Sequence, residues 1–243
     1  MTRSAELAQA LTDLQARLAS AADAAGRSVD DIELLPVTKF FPASDVVILA
    51  DLGARAFGES RDQEATRKVA ELNGRIPADT RWHMVGQIQS KKARSVAAWA
   101  HTVHSVGTDK VLGALARAAA TALDEGVRSA PLAVFIQLSL DGDESRGGVD
   151  IANTGQIDAL CGAADAAAGL ELAGLMAIPP LHADVDEAFT RLAAELGRVQ
   201  GHYQHRLGLS AGMSGDLEAA VKHGSTCVRV GTALLGSRPL TSP

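Results

Sequence analysis

The sequence predicts an α/β chain folded as a single (β/α)₈ (TIM) barrel with an extra helix at its N-terminus. Strand-like and helix-like segments alternate without a break, and eight strand candidates fall along the chain. A length of 243 residues suits one such barrel and is short for a barrel plus a second full domain. Alternation of this kind implies parallel pairing with crossover helices. An open dinucleotide-binding sheet would carry Gly-x-Gly-x-x-Gly after an early strand. None is present, and Gly147-Gly148 has the wrong spacing.

Leu7, Leu11, Leu14 and Leu18 recur at a 4-3-4 spacing that stacks one apolar stripe, so the chain opens on a helix. Ser4 is its expected N-cap and Gly26 its stop. Residues 1–27 are expected to pack on the barrel as that extra helix. Strands are expected over 32–39, 54–58, 81–86, 101–106, 132–140, 170–178, 207–211 and 226–230. Helices are expected over 44–52, 62–72, 110–125, 154–168, 185–206 and 215–223. No linker or shift of composition divides the chain, so residues 1–243 are read as one domain.

Hydrophobic residues make up 47% and aromatics only 3%, which requires a core of Ala, Val, Leu and Ile. A net charge of −6 with no basic stripe argues against nucleic acid as a partner. Cys161 and Cys227 are isolated, so neither a disulfide framework nor a zinc site is expected. No signal peptide is read at Met1–Glu6, and no run approaches the roughly 18 apolar residues of a membrane span. A cytoplasmic location is expected.

The chemistry is expected at the C-terminal strand ends. Alternation puts Leu35, Val37 and Lys39 on one face of the first strand; if that face is inward, Lys39 reaches the barrel mouth. A desolvated amine loses its proton more readily, and the neutral amine attacks aldehydes. Taken alone, a solvated lysine at a strand end is the commoner case. Late in the chain, Ser210-Ala211-Gly212-Met213-Ser214 leads into one helix, and Gly231-Thr232 opens another. Loops after strands seven and eight commonly build the phosphate site of such barrels. By itself Ser214 reads more readily as a plain N-cap. Arg229 shares a strand face with Cys227 and needs an acceptor, either a pyridine nitrogen or a neighbouring carboxylate. An amine early and a phosphate grip late suggest pyridoxal 5′-phosphate as the cofactor.

Six motifs occur in order: Val37-Thr38-Lys39-Phe40-Phe41-Pro42, Phe57-Gly58-Glu59-Ser60, Trp82-His83-Met84-Val85-Gly86-Gln87-Ile88-Gln89-Ser90-Lys91, Gly174-Leu175-Met176-Ala177-Ile178-Pro179, Leu209–Ser214 and Gly224–Thr232. From about Glu33 to Gly236 the chain resembles the pyridoxal phosphate homeostasis proteins, whose fold is similar to the N-terminal barrel of alanine racemase. The resemblance implies a lysine imine at Lys39, phosphate contacts from Ser214, Gly231 and Thr232, and Arg229 beside the ring nitrogen. It places Met176 and His83 near the site and adds Ser210 through its motif. Ser60 departs from the family's Gly-Glu-Asn, which puts an asparagine contact over the ring in doubt. The fourth-strand motif also departs, reading His104-Ser105-Val106-Gly107 where an acidic residue and arginine are usual.

Racemisation needs acid–base groups on both faces of the imine. Tyr203, the one tyrosine, falls in the helical segment 185–206, remote from the strand ends, and no second domain follows. Arginine at a pyridine nitrogen also weakens the cofactor as an electron sink. The expected function is therefore binding and intracellular homeostasis of pyridoxal phosphate without turnover. The alternatives are a weak amino-acid racemase using a cysteine or histidine as second base, and a phosphosugar-binding barrel. Expected partners are pyridoxal phosphate itself and the apo forms of enzymes that use it, with a monomer expected. Asp141-Gly142-Asp143 starts like a calcium loop but fails at positions six and twelve. His202 and His205 read as an exposed helical pair, and His101 and His104 as facing opposite sides of a strand.

Overall fold

The computed structural model describes residues 2–237 apart from Glu144 and Arg146. Nine parallel-paired strands form one sheet: β1 (Glu33–Pro36), β2 (Ala56–Glu59), β3 (Arg81–Met84), β4 (Thr102–Val106), β5 (Leu132–Ser139), β6 (Val149–Asp150), β7 (Leu170–Ala177), β8 (Gly208–Ser210) and β9 (Cys227–Val230). Eight run in the order β1-β9-β8-β7-β5-β4-β3-β2, with β6 a two-residue addition beside β5. The ends meet: Val37 bridges Gly58 in parallel, and Thr38 N–H donates to Gly58 O at 2.9 Å. The sheet thereby curls into a barrel, as the eight expected strands require.

Helices α1 (Arg3–Ala24), α2 (Ala43–Asp51), α3 (Asp62–Leu72), α4 (Ala93–Trp99), α5 (Asp109–Asp124), α6 (Thr154–Ala166), α7 (Val185–Gln200), α8 (Leu217–Lys222) and α9 (Thr232–Leu235) alternate with the strands. Most of the core lies between these helices and the outer faces of the strands. A small apolar cluster of Leu35, Ala56 and Cys227, with Val85 against it, fills part of the interior. Leu35 is therefore inward and Leu34 packs outward, as the alternation predicted.

The leucine stripe Leu7, Leu11, Leu14 and Leu18 is buried, and α1 lies across α8, α9 and α2. Its N-cap is Thr2, whose hydroxyl accepts from Ala5 N–H at 3.3 Å, so Ser4 falls inside the helix instead. At the other end Gly26 takes φ +64°, and Arg27 N–H closes back on Ala22 O. α7 stops at Gln200, short of the expected Arg206, because the Gln200 side chain takes over the following backbone. Its amide donates to Tyr203 O and His205 O, and its Oε1 accepts from Leu207 N–H at 2.7 Å. Tyr203, His202 and His205 consequently lie beyond the helix, and both histidines are exposed. No described helix is long and apolar enough to cross a membrane. Replacing Leu14 with alanine is expected to cost about 2–5 kcal/mol, read as a lower urea midpoint with an unchanged slope.

Candidate functional site at the barrel mouth

The register of β1 against β9 builds the site. Leu35 pairs with Arg229 and Pro36 with Val230, and Val37 N–H donates to Val230 O at 2.8 Å. One residue past Val230, a Cβ at Gly231 would stand 3.5 Å from Val37 O. Lys39, two residues past Val37, therefore leaves the barrel beside the turn that opens α9. Its side chain is half-buried and makes no salt bridge with a carboxylate among the described residues. Its Nζ lies 6.0 Å from the Phe40 ring centroid.

The turn after β8 meets the same place. Ser214 does not cap its own helix: α8 begins three residues later, behind Asp216. The Ser214 hydroxyl instead accepts from Ala233 N–H in the first turn of α9, at 3.2 Å. That bond joins the β8–α8 turn to the β9–α9 turn, so Ser214, Gly231 and Thr232 form one small polar rim. Asp216 fixes the approach by accepting from Met213 N–H at 2.6 Å, and Arg17 of α1 donates to Ser214 O at 2.8 Å. Ser60, one residue past β2, stands on the other side of the β1 end from that rim, because β2 closes the barrel against Val37 and Thr38. A Cβ at Gly86 would sit 2.1 Å from Ser60 O, so only glycine permits this approach of the β2 and β3 ends. A cavity of about 600 Å³ opens beside Ser60 and Phe40, bounded by α3 and by Gln87–Gln89.

Below the mouth lies a buried polar chain. Arg229 donates to Ser210 Oγ at 2.5 Å and to Ala177 O at 3.1 Å, neither of them a carboxylate, so the salt-bridge reading of Arg229 does not hold. His104 Nδ1 lies 2.7 Å from Ser210 Oγ, and His104 Nε2 lies 2.9 Å from His83 Nδ1. Arginine only donates, so Ser210 Oγ accepts from it; the order that also leaves a hydrogen on His83 Nε2, toward the Glu33 carboxylate, has Ser210 donate to His104 Nδ1. His104 then carries hydrogen on Nε2 and donates to His83 Nδ1. His83 is left with hydrogen on Nε2, facing the Glu33 carboxylate at 3.8 Å and otherwise without a hydrogen-bond partner. Burial holds His104 well below the usual imidazole range and pushes His83 down to about 3. Arg81 adds repulsion at His83. Both rings are neutral, as the proton order requires. Burial also lowers the Arg229 guanidinium and raises the Cys227 thiol.

Lys39, Ser214, Gly231 and Thr232 thus gather at the mouth, with Ser60 on the β2 side of Lys39. Ser210 and Arg229 lie just beneath, where Met176 pairs with Ser210 across β7 and β8. His83 belongs to the deeper chain and reaches Arg229 only through His104 and Ser210. His104 was missed by sequence reasoning. It faces away from His101, as expected, but its hydrogen-bond partners come from two other strands, β3 and β8. His101 accepts from Trp82 N–H outside the barrel. Tyr203 precedes β8 and lies at the end opposite the mouth. No group of three metal-ligating side chains occurs among the described residues.

The arrangement is chemically explicit. A half-buried lysine, with no salt bridge among the described residues, leaves the barrel beside a turn whose hydroxyl and backbone groups suit an oxyanion, with an obligate donor below. Those parts suit a small phosphorylated carbonyl compound, and residues 10–239 match the model of the alanine racemase N-terminal domain. The pyridoxal phosphate homeostasis protein of Mycobacterium tuberculosis (strain H37Rv) is 57% identical to the chain, over 99% of it and 96% of that protein. Our chain belongs to this family of pyridoxal phosphate homeostasis proteins. PipY of Synechococcus elongatus PCC7942, solved with PLP bound, is 30% identical with a TM-score of 0.78, covering 95% of this chain and 100% of that one. Alanine racemase from Streptomyces coelicolor is 18% identical with a TM-score of 0.72. It covers 97% of this chain and 59% of its own, a likeness of fold.

Because His83 titrates near 3 when folded and near 6.5 when unfolded, the unfolded chain binds the extra proton between those values. Its contribution to stability is whole above about pH 6.5 and is lost as pH falls toward 3. The melting temperature is therefore expected to drop between pH 6.5 and 4, and less steeply in His83→Gln, as calorimetry across that range would check.

Proposed function

We propose that this chain binds pyridoxal 5′-phosphate covalently through Lys39 and serves its homeostasis without turning over a substrate. When bound, that group supplies an aldehyde that condenses with an amine by loss of water, a pyridine nitrogen that accepts a hydrogen bond, and a phosphate. The β1–β9 register supports the reading most, because it brings the backbone that leads to Lys39 against Gly231, at the head of the Ser214–Gly231–Thr232 rim. The bound PLP of PipY, a relative over nearly the whole chain, supports it.

Lys39 Nζ provides the nucleophile. Ser214, Gly231 and Thr232 hold the phosphate through hydroxyl and backbone N–H groups, where hydrogen bonds to a charged acceptor contribute about 1.5–3 kcal/mol each. Arg229, with Ser210 fixing its guanidinium, donates toward the ring nitrogen. A permanent donor there would leave that nitrogen unprotonated. Met176, beside Ser210, and Ser60 would be the neighbours of the ring, and His83 would act at a distance through the buried chain. Tyr203 lies at the wrong end to work opposite Lys39, which favours a carrier over a racemase. Apo forms of enzymes that use the cofactor are its proposed recipients, with a cytoplasmic monomer as the working form.

The purified protein mixed with pyridoxal 5′-phosphate is expected to turn yellow, and borohydride is expected to fix the adduct. Lys39→Ala should abolish the colour. Peptide mass spectrometry showing the reduced adduct only on another lysine would overturn the assignment.

A further inference from the structure

Lys39 is flanked by two peptide groups, and a charged side chain of α3 grips each of them. On one side, Lys68 Nζ donates to Thr38 O at 2.9 Å. On the other, Phe40 N–H donates to Glu64 Oε1 at 2.7 Å. Glu59, at the end of β2, anchors the first of these grips. Its Oε1 accepts from Lys68 Nζ at 2.6 Å and from the Thr38 hydroxyl at 2.7 Å. Lys68 also reaches Glu64 at 3.4 Å.

This cluster is costly to keep. The Lys68 side chain is 6% exposed and that of Glu59 is wholly buried, and a salt bridge removed from water repays its desolvation poorly. Glu59 Oε2 has no hydrogen-bond partner, and burial raises the Glu59 carboxyl above its usual range. Phe40 adds strain: at φ +70° it is the only non-glycine residue in the left-handed region among the described residues. Arg61 lies over the Phe40 ring at 4.9 Å and holds it there. A fold in need of stability alone would be served as well by an apolar contact between α3 and β1. Here a buried charge pair and a strained residue converge on the backbone of one lysine. Local strain that the surroundings over-determine is typical of functional positions.

We infer that Glu59, Lys68 and Glu64 are positioning residues that fix the backbone on both sides of Lys39 and so aim its amine at the phosphate rim. The inference rests on the reading of Lys39 as the aldehyde-binding amine. With both flanking peptides held, the direction of the Lys39 Cα–Cβ bond is set and only the side-chain rotors remain free. Pre-aiming of this kind acts on the rate of reaction with an aldehyde, and it leaves the separate Ser214–Gly231–Thr232 contacts alone.

The test compares wild type, Lys68→Met, Lys68→Arg and Glu64→Ala. Two quantities are read: the rate at which the visible band grows with pyridoxal 5′-phosphate, and the Kd for pyridoxine 5′-phosphate, which has the phosphate but no aldehyde. Lys68→Met and Glu64→Ala are expected to slow the band by about tenfold or more, equivalent to about 1.4 kcal/mol in the barrier. Lys68→Arg should recover most of the rate, and pyridoxine phosphate should bind all four within about twofold. Glu64 is partly exposed, so Glu64→Ala carries the test if Lys68→Met fails to fold. Band growth at the wild-type rate in folded variants overturns the positioning role. A wild-type protein that forms no band overturns the reading of Lys39 itself, and the positioning role with it.

Discussion

The site depends on the alignment of two neighbouring strands. β1 supplies the amine and β9 supplies the arginine and the glycine turn. A one-residue slip between them would invert every side chain of one strand. Three devices prevent that slip. Leu35 and Cys227 must both be inward to fill the small interior cluster. Val37 is hydrogen-bonded to Val230 on one side and bridged to Gly58 on the other, which also closes the barrel. The helix α1 spans α8, α9 and α2, so the first and last units of the barrel are strapped from outside. The N-terminal helix thus helps to hold the alignment on which the mouth depends.

The interior is unusual in being polar along one path. Burying histidine, serine and arginine together is tolerable because the path runs from a group that only donates, Arg229, to a carboxylate that only accepts, Glu33. The path stops at Glu33, whose carboxylate is also paired with Arg81 at 2.5 Å at the partly exposed floor of the barrel. Arg229 is consequently oriented by neutral acceptors alone. Among the described residues no carboxylate forms a salt bridge with it, and that suits it to donate to a neutral acceptor.

Much of this was legible in the sequence, and the exceptions have physical causes. All eight expected strands form, because alternation with helices leaves a strong periodic signal. The helix α4 was missed: seven residues with no side-chain cap, following a 3-10 turn at Ser90–Lys92, leave too short a pattern. The Gln200 amide cut α7 short by bonding to residues up to seven positions away, beyond any local propensity. At the site, Lys39 and the two late turns were readable from strand ends and motifs. Ser214 read most simply as a cap, because its true partner, Ala233, is distant in the chain. The Glu59–Lys68–Glu64 cluster and His104 were invisible for the same reason. Nothing in a linear pattern distinguishes a surface charge on a helix from one turned onto a neighbouring strand.

The chain from Glu33 to Arg229 takes one residue from each of five strands, and this limits how the protein can change over generations. Dropping any single member strands its neighbours' donors or acceptors in a dry interior, at a cost of about 1–3 kcal/mol per abandoned group. Exchanging all of them for greasy side chains of equal volume would cost far less. Single replacements therefore lead uphill although the distant destination is level ground.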